Sequence, residues 1–395
     1  MNYRSNNKNG DKLSILGYGC MRFPKKGNSV DEERTERQII SAIEQGVNYF
    51  DTAYIYHGGK SEIILGQILA KGYRDRVKIA TKMPPFMVRK SADMDKIFNT
   101  QLKRLQTDHI DYYLMHMLPD VQTWERLKTL GIIEWIDEKK KSGQIINLGF
   151  SYHGGTSEFM KIIDAYDWDF CQIQYNYLDE NNQAGRGGLN YAASKGIPIV
   201  VMEPLRGGKI VDGLPKEVDM IWKEAKPSRS AADWALRWVW NQPEVMLALS
   251  GMNNENQIAE NIRVASEAQA NDFTSEELAL FATAKEILSK KTKVNCTACG
   301  YCMPCPSGVD IPTCFSCYNQ KYMNKNKSAA FFNYITQTGA TTSNPTYASR
   351  CTKCRKCEQH CPQNILISEK MAEVKKDMEN VFFKPIVAVA KKFMK

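Results

Sequence analysis

Ten of the twelve cysteines in this 395-residue chain lie between Cys296 and Cys361, and eight of the ten form two runs. The runs are Cys296-x2-Cys299-x2-Cys302-x2-Cys305-Pro306 and Cys351-x2-Cys354-x2-Cys357-x3-Cys361-Pro362. Three thiolates two residues apart wrap one corner of a polynuclear iron-sulfide cubane, whereas a tetrahedral zinc ion takes well-separated pairs. The start of the chain, Met1 to Lys8, has neither an apolar stretch nor a small-residue cleavage site, so no secretory signal is read there and a cytoplasmic location is expected. In a reducing compartment such thiols serve metal or redox chemistry rather than disulfides. Charge divides the chain at the same place. Residues 291–395 carry a net +10 and the first 290 a net −1, of a total of +9. Three segments are expected: a body at 1–290, a cysteine-bearing domain at 291–370 and a helical tail at 371–395. The hydrophobic share of 43% suits a globular chain, and no apolar run reaches the roughly 18–20 residues that span a bilayer.

The body alternates short β-branched or aromatic runs with longer helical patterns. Eight such runs occur, at 13–18, 46–50, 77–81, 110–115, 145–150, 170–174, 197–201 and 245–249. Between the first two, Thr35 to Glu44 places Ile39, Ile40 and Ile43 on one face and ends against Gly46, a C-terminal glycine stop. Eight strand–helix alternations predict an α/β fold of the (β/α)8 TIM-barrel type. A dinucleotide-binding Rossmann site is rejected: in Gly17-Tyr18-Gly19-Cys20-Met21-Arg22, Arg22 stands where the third glycine belongs, and Phe23-Pro24-Lys25-Lys26 opens no helix. A barrel builds its active site at the C-terminal ends of its strands, where this sequence places Asp51, Lys82, His116, Ser151, Gln172, Gln174, Glu203 and Ser250.

The stretch Asp51-Thr52-Ala53-Tyr54-Ile55-Tyr56 with Ser61-Glu62, then Thr81-Lys82, then Asp111 to His116, resembles the aldo-keto reductase family over roughly residues 10–290. The resemblance implies a catalytic tetrad of Asp51, Tyr56, Lys82 and His116. The residue types suit carbonyl reduction. A phenol, with an ordinary pKa of about 10, is a weak acid toward a developing alkoxide, an adjacent ammonium makes it stronger, and a carboxylate keeps that ammonium charged. His116 would hydrogen-bond the substrate oxygen, while His57 and His153 flank the pocket without chemistry. The resemblance further implies NAD(P)H bound by Ser151 and Gln172 at the carboxamide, by Leu205, Gly207 and Lys209 along the pyrophosphate, and by Ser250, Gly251, Gln257, Glu260 and Asn261 around the adenosine. This chain departs from the family pattern at Tyr152, where asparagine is usual, at Met202, where an aromatic often stacks on the nicotinamide, and in 251–257, which has no Lys or Arg for a 2′-phosphate.

The second cysteine run follows the bacterial ferredoxin spacing, and the first is one residue shorter before its last cysteine. In that spacing the proline-linked fourth cysteine serves the other cluster. Two 4Fe-4S clusters are therefore expected, one held by Cys296, Cys299, Cys302 and Cys361, the other by Cys351, Cys354, Cys357 and Cys305. Cys314 or Cys317 is the alternative to Cys305, with core packing as their ordinary role. Residues 315–347 read as helical, resembling the α-helical ferredoxin domains of respiratory complexes. Linkage of such a domain to the barrel resembles the aldo-keto reductase branch with a C-terminal 4Fe-4S ferredoxin-type domain.

Two functional readings follow. In one, an oxidoreductase reduces an aldehyde or ketone with NAD(P)H while its clusters exchange electrons with an acidic carrier such as a ferredoxin or flavodoxin, docked on the basic tail near Lys353, Arg355 and Lys356. In the other, the clusters of a plain NAD(P)H carbonyl reductase are structural or sense redox state. Nicotinamide moves two electrons as hydride and each cluster moves one, a mismatch that a flavin normally bridges. The sequence has no flavin motif, and a ferredoxin- or flavin-coupled reductase stays an alternative. The basic residues surround cysteines rather than a nucleic-acid module, and nucleic-acid binding is not expected. The apolar, basic end from Val381 to Lys395 is expected to pack on the protein, with Pro385 interrupting its helix, rather than to anchor at a membrane surface.

Overall fold

A computed structural model describes residues 1–27, 29–323, 327–342 and 344–393. Two compact units emerge. The first comprises 1–205 and 232–274, the second 206–231 and 275–395.

The first unit is a closed barrel of eight parallel strands in sequential order: β1 Leu16–Gly19, β2 Tyr49–Asp51, β3 Lys78–Met83, β4 Ile110–Met115, β5 Ile145–Tyr152, β6 Phe170–Gln174, β7 Ile199–Met202 and β8 Val245–Ser250. Its interior is filled by Tyr49, Tyr112, Phe170, Val200, Leu247 and neighbouring residues, with Tyr112 meeting Tyr49 and Phe170 edge-on at 5.2 and 5.1 Å. A packed interior leaves the strand ends as the place for chemistry. In register, Asp51 pairs with Ala80 and Ala80 with Tyr112, so Lys82 lies two residues further toward the C-terminal mouth than Asp51.

Most expected strands shift at an end by one or two residues, and the first two differ more, for local reasons. The run at 13–18 is split: Lys12–Ser14 pairs antiparallel with Tyr3–Ser5, and only Leu16–Gly19 joins the barrel. Ser14 turns the chain between them, its hydroxyl donating to the Leu16 carbonyl at 2.7 Å and its N–H donating to Asn48 Oδ1 at 2.8 Å. The same Asn48 delays β2 to Tyr49. The helix expected at 35–44 begins earlier, as α1 Glu32–Glu44, because Asp31 caps it by accepting from the Arg34 N–H.

Helices α2 (Lys60–Leu69) and α3 (Ala92–Leu105) pack at Gly66. A Cβ there would stand 2.6 Å from Leu105 Cα and closer still to the Arg104 carbonyl. This approach sets the height of α3, and hence of Gln101 and Arg104, against β3.

In the second unit, α4 spans Ser275–Lys291 and so continues to the expected boundary at 290/291, with Lys291 paired to Glu217. The helices α5 (Ile311–Met323), α6 (Lys327–Gln337) and α7 (Ile367–Met378) enclose a core of Phe315, Tyr334, Met371, Val374 and Met378. The last helix, α8 (Phe383–Phe393), runs through Pro385. Pro385 sits in its first turn, where no intrahelical N–H is required, and so does not break it. Phe383 is buried against Tyr334 and Tyr347, while Val381 and Phe382 are exposed. Among the described residues no helix is long and apolar enough to cross a membrane.

Gly66→Ala should force α2 and α3 apart and lower stability by about 1–3 kcal/mol. Urea unfolding followed by tryptophan fluorescence measures it, and an unchanged midpoint would mean the two helices can separate freely.

Candidate functional site

Asp51 ends β2, Lys82 lies near the end of β3, His116 follows β4, and Tyr56 opens a short 3-10 turn after β2. Neighbouring strand ends thus bring the four together. Lys82 is fully buried and its Nζ donates to Asp51 Oδ1 at 2.6 Å, to the Thr52 carbonyl at 2.7 Å and to the Tyr56 hydroxyl at 3.5 Å. An ammonium has three N–H bonds, and here each has an acceptor. The Tyr56 ring meets His116 edge-on at 5.8 Å. Burial pulls Lys82 below the ordinary ammonium range, and the Asp51 carboxylate opposes that pull. Burial, with Lys82 nearby, drives His116 well below the usual imidazole value, so it is a neutral hydrogen-bonding group. His153 is pushed down to about 4, chiefly by desolvation, and its Nδ1 faces Gln183 Oε1 at 3.1 Å. His57 stacks on Phe23 outside this group.

A buried polar network behind Lys82 escapes sequence reading. Glu62, fully buried, accepts from Thr81 Oγ1 at 2.6 Å, Gln101 Nε2 at 2.8 Å and Arg104 Nη1 at 3.0 Å. Gln101 also donates to the Lys82 carbonyl at 3.1 Å and accepts from the Tyr113 hydroxyl at 2.7 Å. These bonds hold the β3 backbone at Lys82. The sequence does carry a faint signal: Gln101 is the polar member of the otherwise apolar helical face Met94, Ile97, Phe98 and Leu105.

The expected nucleotide residues occupy several settings. Gln172 is buried on β6 with its Oε1 unpartnered, while its Nε2 points to Met202 Sδ at 3.6 Å. An orphaned buried carbonyl oxygen at the mouth fits a ligand amide. Ser151, on β5, accepts from the Met117 N–H at 2.8 Å and keeps its own hydroxyl proton to donate. Tyr152 faces away into packing with Phe159, its hydroxyl donating to the Gly155 carbonyl. At the end of β8, Ser250 Oγ accepts from Asn261 Nδ2 at 2.9 Å. Gln257 Oε1 folds back to accept from the Asn253 N–H, and Glu260 lies half-buried on the same helix, Glu255–Glu267. The Arg22 stem lies against Gly251, where a Cβ would come within 3.2 Å of Arg22 Cδ. A cation from after β1 therefore stands beside a segment that has none of its own. Leu205 closes the first unit, whereas Gly207 and Lys209 belong to the second, in which Lys209 Nζ donates to Ser316 Oγ at 2.7 Å.

The second unit holds two thiol-lined cavities. Cys296, Cys299, Cys302 and Cys361 line one, and Cys305, Cys351, Cys354 and Cys357 line the other. The fourth cysteine of each run thus sits with the first three of the other, despite the shorter first run. Among the described residues, no three of these thiols converge as a single ion would require; four separated thiols around a cavity suit a polynuclear cluster. Cys314 and Cys317 are buried in the core, near Tyr334 and Gln337 respectively. Cys20 and Cys171 are buried in the barrel unit.

Comparison with known proteins agrees with both halves. Residues 15–281 match the aldo/keto reductase family, and residues 295–366 match a 4Fe-4S dicluster domain. The chain belongs to the aldo/keto reductase family. It is 27% identical over 306 residues to the uncharacterized oxidoreductase YrpG of Bacillus subtilis, covering 67% of this chain and 90% of that one. It is 25% identical over 297 residues to the NADH-specific methylglyoxal reductase of Escherichia coli, covering 63% and 89%. An aldo-keto reductase from Klebsiella pneumoniae, solved in complex with NADPH, shares the fold at a TM-score of 0.59 and 21% identity, covering 72% of this chain and 95% of that one. Membership makes this member of the family an oxidoreductase enzyme.

His116 and His153 set a pH dependence. Their folded pKa values lie below the unfolded value of about 6.5, so the unfolded chain binds more protons below that pH. Their stabilisation is complete above about pH 6.5 and is lost as pH falls toward the folded values. Urea midpoints should drop between pH 7 and 5.5, and His153→Gln should remove about 1 kcal/mol of that drop. An equal drop in the variant would show that His153 does not contribute.

Proposed function

We propose that this enzyme reduces an aldehyde or ketone with NAD(P)H in the barrel mouth, and that its second unit holds two 4Fe-4S clusters that exchange single electrons with an acidic carrier protein. The observation that carries the first part is the saturated Lys82 ammonium, which donates to both Asp51 and Tyr56 from a fully buried position.

The roles follow from that geometry. Bound nicotinamide would supply hydride to the carbonyl carbon. A phenol oxygen that accepts from an ammonium gives up its own proton more readily, so Tyr56 delivers the proton to the carbonyl oxygen. Lys82 stabilises the phenolate this leaves, and Asp51 keeps Lys82 protonated and aimed. Neutral His116 donates a hydrogen bond to the same oxygen and orients it without adding a second positive charge beside Lys82. Gln172 and Ser151 are the groups suited to the carboxamide, and Ser250, Asn261 and Arg22 to the adenosine end. The eight cysteines around two cavities support the cluster reading, and the exposed cations Lys353, Arg355 and Lys356 support an acidic partner.

Tyr56→Phe should lower kcat for a small aldehyde about 10²–10⁴-fold and leave NADPH affinity unchanged. Steady-state kinetics with a parallel nucleotide titration by fluorescence measures both, and full activity in the variant would overturn Tyr56 as the acid.

A further inference from the structure

The two thiol-lined cavities are neighbours with different surroundings. Ile311 and Ile367 line both, and each is almost wholly buried, so two apolar side chains form the partition between them. The walls beyond the partition differ. Around Cys296, Cys299, Cys302 and Cys361 the lining is Thr297, Gly300, Pro312, Phe315 and similar uncharged residues. Around Cys305, Cys351, Cys354 and Cys357 it includes Arg355.

The second cavity is also the one with exposed residues in its wall, namely Pro306, Thr352, Cys354 and Arg355. Cys354 is the exposed cysteine of the twelve, and every residue from Thr352 to Lys356 is exposed. Lys353 and Arg355, on either side of Cys354, both have left-handed backbone, φ 58° and 59°. That conformation is disfavoured for a non-glycine residue, and here it wraps the chain around Cys354. The nearest acid on this loop, Glu358, is turned to accept from the Ser368 N–H at 2.8 Å.

We propose that the two sites are inequivalent and act in series. The Arg355-lined site is the port at which a one-electron carrier with an acidic surface docks, and the uncharged site behind the Ile311–Ile367 partition is the inner one. This rests on the reading that each cavity holds a 4Fe-4S cluster. The step itself is simple: the carrier loses one electron and the outer site gains it, with no bond made or broken. Reduction adds a negative charge, which Arg355 stabilises at close range and which the uncharged walls of the inner site do not. The outer site is therefore the more readily reduced. The same exposed cations draw an acidic partner to it, an attraction that weakens as salt rises.

The test uses the full chain reconstituted anaerobically with iron and sulfide. In a redox titration followed by EPR, Arg355→Gln should lower the midpoint of one reduction step and leave the other in place, while Arg355→Lys, which keeps the charge, should restore it. With a small acidic ferredoxin as reductant, the rate of cluster reduction should fall with ionic strength in the wild type. That dependence should flatten in the Lys353→Gln, Arg355→Gln, Lys356→Gln triple variant. Equal movement of both steps, movement of neither, or an unaltered salt dependence would overturn the proposal. Iron and sulfide analysis of the same preparations separates this from the reading beneath it, because iron for fewer than two clusters would contradict the two-cluster reading whatever Arg355 does.

Discussion

A single ammonium buried at the mouth of a barrel organises this site. Lys82 is shut off from bulk solvent, and burial of an unpaired charge would cost several kcal/mol or end in its neutralisation. The fold meets that demand with three acceptors from the adjacent β2 end and the turn after it: a carboxylate, a main-chain carbonyl and a phenol. The requirement runs both ways. Asp51 is itself buried and has Lys82 as its counter-ion, so neither can be removed without stranding the other. Behind the pair, Glu62, Gln101, Arg104 and Thr81 repeat the logic one layer out, where a buried carboxylate is satisfied by three donors and one of those donors fixes the Lys82 backbone.

Much of the barrel was legible in the sequence because short β-branched or aromatic runs and strand-end polar residues are local signals, whereas the roles of the four site residues came from the resemblance to the aldo-keto reductase family. The strands at 110–115 and 170–174 fall where β-branched and aromatic residues place them. Boundaries went astray where a side chain, rather than strand propensity, turned the backbone, as Ser14 and Asn48 do. Gln101 and Arg104 were invisible as parts of the site because a polar residue on a helix gains its meaning only from what the helix packs against, and that depends on the close approach at Gly66. The cation beside Gly251 was missed for a similar reason: Arg22 is distant in sequence from the 251–257 segment that lacks one.

The cysteine runs were readable for a different physical reason. Three thiols in successive x2 steps with a proline-linked fourth suit a polynuclear cluster better than the well-separated pairs that hold one zinc ion, and the fourth position of each run lies in the other's cavity. Spacing says nothing, however, about which cavity carries charge and exposed residues in its wall. That asymmetry comes from the left-handed turns at Lys353 and Arg355 and from the helices that enclose the opposite wall. Extra buried thiols at Cys314 and Cys317 belong to the core of the same unit, where their hydrogen-bond partners are Tyr334, the Thr346 carbonyl and Gln337.

In the proposed reduction the Lys82-centred group delivers a proton to a carbonyl oxygen while bound nicotinamide would supply hydride to its carbon. Isotope transfer measures this directly. With NADPH carrying deuterium on both C4 positions and a small aldehyde, the wild type should form an alcohol with one deuterium on the former carbonyl carbon, and Lys82→Met should not. An alcohol without deuterium, or undiminished deuterium transfer in the Lys82→Met chain, would contradict it.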